Sequence, residues 1–287
     1  DYARYKDRSD TTYMKGFFED MLRLPFDRLE IADLYVQYLL YREASPDTIM
    51  PVLEIILELE PENRSALLQM LVFAIERNDY EEVIRCSDNA ILYIPDMLEL
   101  YYYKGIASYL LGKKQECTGI YELGLSRRSE ECTPELVAKV FSVLGDTYHE
   151  LEMMDKCMEV YDSALVYNPS EISVLNNYAY YLSLEGKQLE RALEMSAKTL
   201  EMEPDNAIYI DTYAWILFCL ERYEEAKAYA EKMILLNTDM GAVEYHHCGD
   251  IFAKCGDISR AVEYWEKARE HGDTTKILKK KIKKLIY

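Results

Sequence analysis

The apolar positions of this chain follow a helical spacing that returns in block after block. In the block that begins at Ala138, the apolar positions of the first predicted helix are Phe141, Leu144, Gly145 and Tyr148. Their spacing of three, one and three residues places them on one face of a helix. Cys157, Tyr161 and Ala164 form a second such face, and Pro169 prevents that helix from continuing. The block therefore predicts two amphipathic helices joined by a short turn.

Two further series of residues mark the period of this pattern. A small residue returns near the middle of each first helix, at Gly105, Gly145, Ala179, Ala214 and Gly249. Proline returns at the ends of the blocks, at Pro61, Pro95, Pro169 and Pro204. Both series have a period of about 34 residues, which indicates a helical repeat array. The small residue would let two helices approach closely, and an aromatic residue of the second helix would fill the gap beside it.

The pattern resembles the tetratricopeptide repeat, whose consensus has Leu-Gly and Tyr in the first helix and Ala, Phe, Ala and Pro in the second. The resemblance covers nearly the whole chain and is typical of a bacterial-type multi-repeat array. It implies an all-α fold, a right-handed α-solenoid (superhelix) of stacked antiparallel helix pairs. Arrays of this kind usually present a concave binding surface and seldom carry chemistry.

We place about seven repeat units in residues 30–274. Their starts lie near Glu30, Arg64, Leu98, Ala138, Ile172, Ala207 and Ala242. The first two units match less well, since Leu71 replaces the small residue in one and Gln37 holds the equivalent place in the other. An insertion around residues 128–134 predicts a surface loop after the unit that begins at Leu98.

Residues 1–29 are interpreted as a partial unit, the end of a truncated repeat. Their apolar face consists of Tyr13, Phe17 and Met21, and Pro25 would end the helix. Without the missing half, this face would stay uncovered, which permits self-association through the N-terminal end.

Residues 275–287 are interpreted as a basic capping helix. Their apolar stripe consists of Leu278, Ile282 and Leu285, with lysines around it. A solenoid needs a polar-backed cap over its last unit, and this stripe fits that purpose. Two alternatives are a helix on an anionic membrane surface and a helix docked on an acidic protein surface.

Charge and cysteine content narrow the classes of function. The formal net charge of −19 opposes a nucleic-acid groove, which needs a basic stripe, and favours a neutral or basic protein partner. The seven cysteines include no CxxC pair, so neither a disulfide framework nor a zinc ribbon is expected. No apolar run approaches the length of a membrane span. Reduced thiols slightly favour a cytoplasmic setting, and a bacterial cell envelope (periplasm) stays open.

Positions 2, 5, 9 and 12 of the first helices would line the inner groove, because they share a face opposite the packing seam. From the unit of Leu98 onward, the candidates at these positions are Tyr102, Tyr109, Asp146, His149, Asn176, Tyr180, Asp211, Trp215, Phe218, His246 and Asp250. Aromatic rings offer rigid contact area, and carboxylates would select Lys or Arg on a ligand. Trp215 is the strongest single candidate. The alternative is that these side chains fill the inside of a tightly wound superhelix.

Other kinds of site find less support in the residues. The resemblance would also allow a carboxylate clamp, a set of basic side chains that binds the C-terminal carboxylate of a ligand. It needs Lys or Arg at position 5, and no unit carries one there. His246, His247 and Asp250 suggest a metal, but two ligands on one face with no third are too few. No GxSxG elbow and no Gly-rich phosphate loop occur. We therefore expect neither enzyme activity nor a cofactor.

The sequence favours a protein-interaction scaffold that binds a peptide or helix of a partner in its concave groove. A structural spacer or self-assembling segment of a larger protein is the alternative. Binding of single-stranded RNA is a third reading, since another helical-repeat family has a similar period, but the acidic charge opposes it.

Overall fold

The computed structural model describes residues 11–24, 27–236 and 240–286. Within these ranges the chain forms sixteen α-helices and no strand, which confirms the predicted all-α class. The helices belong to two compact units, Asp1–Val140 and Phe141–Tyr287, and α8 (Pro134–Glu150) crosses the boundary.

The first unit contains seven further helices. They are α1 (Thr11–Leu22), α2 (Arg28–Tyr41), α3 (Pro46–Leu59), α4 (Arg64–Glu76), α5 (Tyr80–Tyr93), α6 (Leu98–Leu110) and α7 (Lys114–Arg127). Phe18 of α1 stacks on Tyr35 of α2 with the ring centroids 4.6 Å apart, so α1 is packed onto the array. Pro25, which was expected to end α1, lies outside the described residues.

The second unit continues from α8 with eight more helices. They are α9 (Met154–Tyr167), α10 (Ile172–Leu184), α11 (Leu189–Met202), α12 (Ala207–Cys219), α13 (Tyr223–Leu236), α14 (Ala242–Lys254), α15 (Ile258–Glu270) and α16 (Lys276–Ile286). Leu278 and Ile282 of α16 are buried in the same apolar cluster as α14 and α15. The stripe of the C-terminal segment therefore covers the last helix pair; the side chain of Leu285 lies outside the described part.

Two kinds of turn alternate along the chain. Each recurrent proline lies at the start of a turn that joins one helix pair to the next. At Pro61, for example, the N–H of Asn63 donates to the carbonyl of Glu60 at 3.0 Å and closes the turn. Proline fits this position because its φ is already that of the second turn residue. Within a pair, the first helix ends on a left-handed residue such as Asn78 or Gly112, whose φ values are 53° and 77°. The backbone then forms the hydrogen bonds of a Schellman motif.

Helix pairs pack through two positions sixteen residues apart, whose side chains differ in size from pair to pair. A β-carbon added to Gly145 would lie 2.6 Å from Cδ1 of Tyr161, so the ring of Tyr161 occupies the space that a side chain would need. The same contact is made by Gly105 with Tyr121 and by Gly249 with Trp265. The buried residues at the equivalent positions of the other matching pairs are Leu71 and Ser87, Ala179 and Met195, and Ala214 and Ala230. Wherever the first residue is glycine, the second is aromatic, and where it is leucine, the second is serine. Leu71 is thus accommodated by Ser87, which is fully buried.

The first repeat differs in one detail from the pattern of the sequence. Val36 is buried and Gln37 is exposed, so Val36 takes the seam position that Gln37 was expected to hold. The turn after α2 comprises residues 42–45, whereas the turn after α4 comprises residues 77–79. The extra turn residue shifts the first helix by one position relative to the second.

Candidate protein-binding site

Helices α8, α10, α12 and α14 are each the first helix of a repeat. In the second unit they place a row of polar and aromatic side chains next to one another. We call this row the first-helix wall. Its residues from the predicted set are Asp146, His149, Asn176, Tyr180, Asp211, Trp215 and Phe218. Asn176 donates to its neighbour Asn177 on the same helix, at 3.2 Å. Each of the others makes, within the second unit, a contact that links it to another residue of the wall or to a neighbouring helix.

At the α8 end, Asp146 is held by two donors. The hydroxyl of Tyr161 donates to Oδ1 of Asp146, and Nδ2 of Asn177 donates to the same oxygen at 3.0 Å. Burial, followed by the charge of Asp146, raises the pKa of Tyr161, so its hydroxyl stays a donor. One turn further along α8, His149 stacks on Tyr181 at 3.6 Å between centroids, with the rings 5° from parallel.

At the α14 end, His247 joins the wall from the neighbouring helix. Its Nδ1 lies 2.8 Å from Oδ2 of Asp211, and both side chains are buried. Trp215 stacks on His247 at 4.0 Å and on Phe218 at 4.9 Å. The indole is partly exposed, so these contacts fix a rigid aromatic surface that still has an accessible face.

Tyr180 lies between these two ends. Its ring centroid is 6.1 Å from that of His247 and 6.0 Å from that of Tyr181. Burial raises the pKa of Tyr180 to about 12, with further contributions from the charges of Asp211 and Glu244. The phenol is therefore neutral at physiological pH and can donate a hydrogen bond.

Three polar atoms of the wall are buried without a hydrogen-bond partner among the described residues. They are Oδ1 of Asn176, Oδ1 of Asp211 and Nε1 of Trp215. Asn176 and Asp211 are only 6% and 7% exposed, so water does not readily compensate these atoms. Buried polar atoms in folded proteins are nearly always hydrogen-bonded, so each exception calls for an explanation, and a bound ligand that supplies the partner is one of them.

His246 and Asp250, which were candidates for the same surface, are engaged by the C-terminal helix. Nζ of Lys281 donates to Oδ1 of Asp250 at 2.6 Å and to Nε2 of His246 at 2.9 Å. The other imidazole nitrogen of His246 then donates to Asp273 at 2.6 Å, and Nε1 of Trp265 donates to Asp250 at 2.9 Å. An ammonium group thus occupies the place that a metal ion would need. Among the described residues, no group of three or more potential ligands is found.

The acidic side chain of Asp273 makes the C-terminal cap sensitive to low pH. Burial alone would raise its pKa, but the backbone N–H and hydroxyl of Thr275 and the ring of His246 together hold that pKa below the usual 3.8. A lowered carboxylate pKa contributes stability that is present above pH 3.8 and is lost as pH falls through the lowered pKa. We expect Asp273→Asn to lose about 1–2 kcal/mol at about pH 7 and less at about pH 3, where protonation of Asp273 has begun to remove its contribution. Urea unfolding at the two pH values measures the difference, and an equal loss at both would contradict this assignment.

The two remaining candidates lie in the first unit. Tyr102 meets Tyr103 edge to face at 5.4 Å, and Lys114 lies 5.8 Å from the ring centroid of Tyr109. Both rings are partly exposed on α6.

Sequence reasoning missed an apolar stretch of the same helical face. Leu68, Val72 and Ile75 hold positions 5, 9 and 12 of α4, and with Tyr103 of α6 they line a pocket of about 330 Å³. Their unit matches the repeat pattern poorly, so its inner positions were left unassigned. It also missed Asn177, Tyr181 and His247, which lie at positions 6 and 10. These three residues could be found only from the way the first helix of one repeat aligns with the first helix of the preceding repeat.

Comparisons with known proteins address the fold. No protein-family model and no curated protein matches this chain. Among solved structures, a tetratricopeptide repeat protein from Parabacteroides merdae is 16% identical with a TM-score of 0.56, covering 90% of this chain and 99% of its own. PilF of Pseudomonas aeruginosa is 16% identical, with a TM-score of 0.59 and coverage of 76% and 95%. YrrB, described as a TPR protein with an unusual peptide-binding site, is 19% identical, with a TM-score of 0.55 and coverage of 65% and 93%.

The helix pairs and these likenesses define an all-α solenoid of helical repeats. Its fold is that of the tetratricopeptide repeat proteins, as the resemblance implied. Within the described ranges, no helix combines the length and the apolar character needed to cross a bilayer.

Proposed function

We propose that the first-helix wall binds a peptide or helical segment of a partner protein, and that the chain is a non-enzymatic scaffold. The observation that carries the proposal is the set of buried atoms of Asn176, Asp211 and Trp215 that have no partner among the described residues. Two of them accept hydrogen bonds and one donates, and a polypeptide offers both kinds of group. A segment bound across the wall would offer partners for these atoms.

The charges of the wall favour a neutral to basic partner. Asp146 and Asp211 belong to the wall itself, and Glu244 lies near enough to influence the pKa of Tyr180. The chain as a whole carries a formal charge of −19. A Lys or Arg side chain would donate to the unsatisfied oxygens, whereas an acidic or phosphate-bearing ligand would meet like charge.

The aromatic side chains supply the contact area that such a segment needs. Trp215, Phe218 and Tyr180 are all partly exposed, and their ring contacts with His247 or with one another limit their rotation. Rigid aromatic residues lose little entropy on binding and often carry much of the affinity. That YrrB, with the same fold, is described as having a peptide-binding site supports the same use here.

Replacing the central aromatic residue tests the proposal. We expect Trp215→Ala and Tyr180→Ala each to weaken partner binding at least about tenfold, which corresponds to about 1.4 kcal/mol. The measurement is quantitative recovery of partners from an extract of the native organism on immobilised protein. Leu235→Ala is a matched control, because Leu235 is 86% exposed on α13, away from the wall. Equal recovery by all four proteins would count against wall binding.

Self-assembly is a second candidate function, and exposed apolar residues of the first two helices favour it. Phe17 is 37% exposed, and Leu34, Leu40 and Tyr41 of α2 are also exposed. Such residues mark interaction sites when they form a patch. Light scattering over a range of concentrations distinguishes this role, since a strictly monomeric protein would contradict it.

A further inference from the structure

A groove lies between the second helices α3 and α5 of the first unit. Its volume is about 890 Å³, more than twice that of the pocket on the first-helix face. Helix α4 contributes only Leu67 and Met70, which are buried seam residues. The groove therefore uses none of the positions that form the first-helix face, and it lies on a separate surface.

The sides of this groove are apolar. Leu57 of α3 and Ile91 of α5 are half-buried, and Leu92 of α5 is 74% exposed. A ligand that covers these side chains removes apolar surface from water, which favours binding. Contiguous exposed apolar residues around a concave site are typical of a docking surface for another polypeptide.

The rim of the groove is acidic. Glu54 and Glu58 are both exposed and lie one helical turn apart on α3. Among the described residues, neither has an ion-pair partner, and like charges at this spacing repel each other along a helix. The two carboxylates are therefore positioned to gain from a cationic partner.

The other charged groups of the groove are already paired. Arg85 donates two hydrogen bonds to Glu82, at 2.7 and 2.5 Å, and Asp88 accepts from Lys104 at 2.6 Å. Arg85 is therefore ion-paired with Glu82, and its charge reaches Glu54 only as a weaker contribution that raises the pKa of Arg85. The lining thus combines leucine and isoleucine side chains with two unpaired carboxylates.

We propose that this groove docks an amphipathic helix of a partner protein, with leucine-like side chains in one stripe and Lys or Arg beside it. The stripe covers Leu57, Ile91 and Leu92, and the cations pair with Glu54 and Glu58. A nucleic acid or an anionic membrane would meet these carboxylates and is disfavoured. The proposal is independent of the first-helix wall, because no residue of the wall lines the groove.

The probe is a fluorescein-labelled peptide of about 14 residues that contains only leucine and lysine, with leucine at helical spacing. A second peptide has the same composition, but its leucines alternate with lysines, so it cannot form an apolar helix face. Fluorescence anisotropy measures both at about 0.1 M salt, where long-range attraction is largely screened. We expect the patterned peptide to bind at least about tenfold more tightly than the alternating one.

Variants locate the binding site. Leu92→Ser, and Glu54→Lys combined with Glu58→Lys, should each weaken binding of the patterned peptide at least about tenfold. Val166→Ser and Glu201→Lys are matched controls, because these exposed residues hold the same places in α9 and α11 as Leu92 and Glu58 hold in α5 and α3. The controls should bind as the wild type does, and circular dichroism verifies that each variant is folded. Trp215→Ala reports any share of the binding that belongs to the first-helix wall.

Two kinds of result overturn the proposal. One is equal binding of the two peptides, which would show that charge attraction alone accounts for the binding and that the groove is not used. The other is undiminished binding by the folded groove variants, or an equal loss in the matched controls. Because Trp215→Ala is included, failure of this proposal is distinguishable from failure of the function proposed for the wall.

Discussion

Gly145→Leu is expected to destabilise the second unit by about 3 kcal/mol, at the upper end of the usual cost of overpacking. The added β-carbon would lie 2.6 Å from Cδ1 of Tyr161, and further carbon atoms would extend into the same ring. Tyr161 cannot easily move, since it is fully buried and its hydroxyl is bonded to Asp146. Urea unfolding followed by circular dichroism measures the change.

A compensating change in the facing residue tests the reason for this loss. Leu71 and Ser87 show that a leucine is accepted at this position when the residue sixteen places later is small. Tyr161→Ser alone should cost about 3–5 kcal/mol, because it leaves a cavity and removes one of the two donors to Asp146. The double variant Gly145→Leu with Tyr161→Ser should be more stable than the sum of the two losses predicts, by about 1–3 kcal/mol. Strict additivity would contradict size complementarity between the two positions.

Gly119→Leu is the control for helix propensity. Gly119 is exposed on α7, and a β-carbon there would meet no atom within 4 Å. The same substitution should therefore stabilise the protein by up to about 1 kcal/mol, because leucine is a better helix former than glycine.

Asp250→Ala is expected to lower the free energy of unfolding by about 3 kcal/mol. The carboxylate is 11% exposed and accepts hydrogen bonds from Trp265 and from Lys281, whose side chain is 29% exposed. Removing one partner of a largely buried ion pair leaves the other charge uncompensated. The loss should appear as a lower urea midpoint and as faster amide hydrogen exchange in α16, which Lys281 ties to α14.

Asp250→Asn separates charge from hydrogen bonding in this network. Asparagine keeps an acceptor for Nε1 of Trp265 but loses the ionic attraction to Lys281. We expect a smaller loss than for alanine, with hydrogen exchange still accelerated in α16. An unchanged urea midpoint for Asp250→Ala would contradict the assignment of Asp250 to the cap.

The fold was predictable because its information is local. Each helix pair is encoded by apolar spacing within one repeat, and each turn by a residue with a special backbone preference, such as Pro61 or Gly112. Leu71 stands where most units carry a small residue, so its repeat matches the sequence pattern only weakly. In the structure Ser87 accommodates it, so a search for paired sizes sixteen residues apart would have strengthened that repeat.

The candidate site was predictable only in part. Face positions follow from helical spacing, which is why Asp146, Tyr180 and Trp215 were found. The contacts between repeats depend on how one helix registers with the next, and spacing within a repeat does not specify this. His247 pairs with Asp211 across 36 residues, and Lys281 reaches Asp250 across 31. Those distant pairings determine which carboxylates are already bound by another side chain of the protein.

Photo-crosslinking tests the central claim, that the first-helix wall receives a partner protein. A benzoylphenylalanine residue replaces Phe218 on the wall, and in a second protein it replaces Leu235, which is 86% exposed on α13. Irradiation in cells of the native organism should join a partner to position 218, with little product at position 235. The same product at position 235, with none at position 218, would contradict the account.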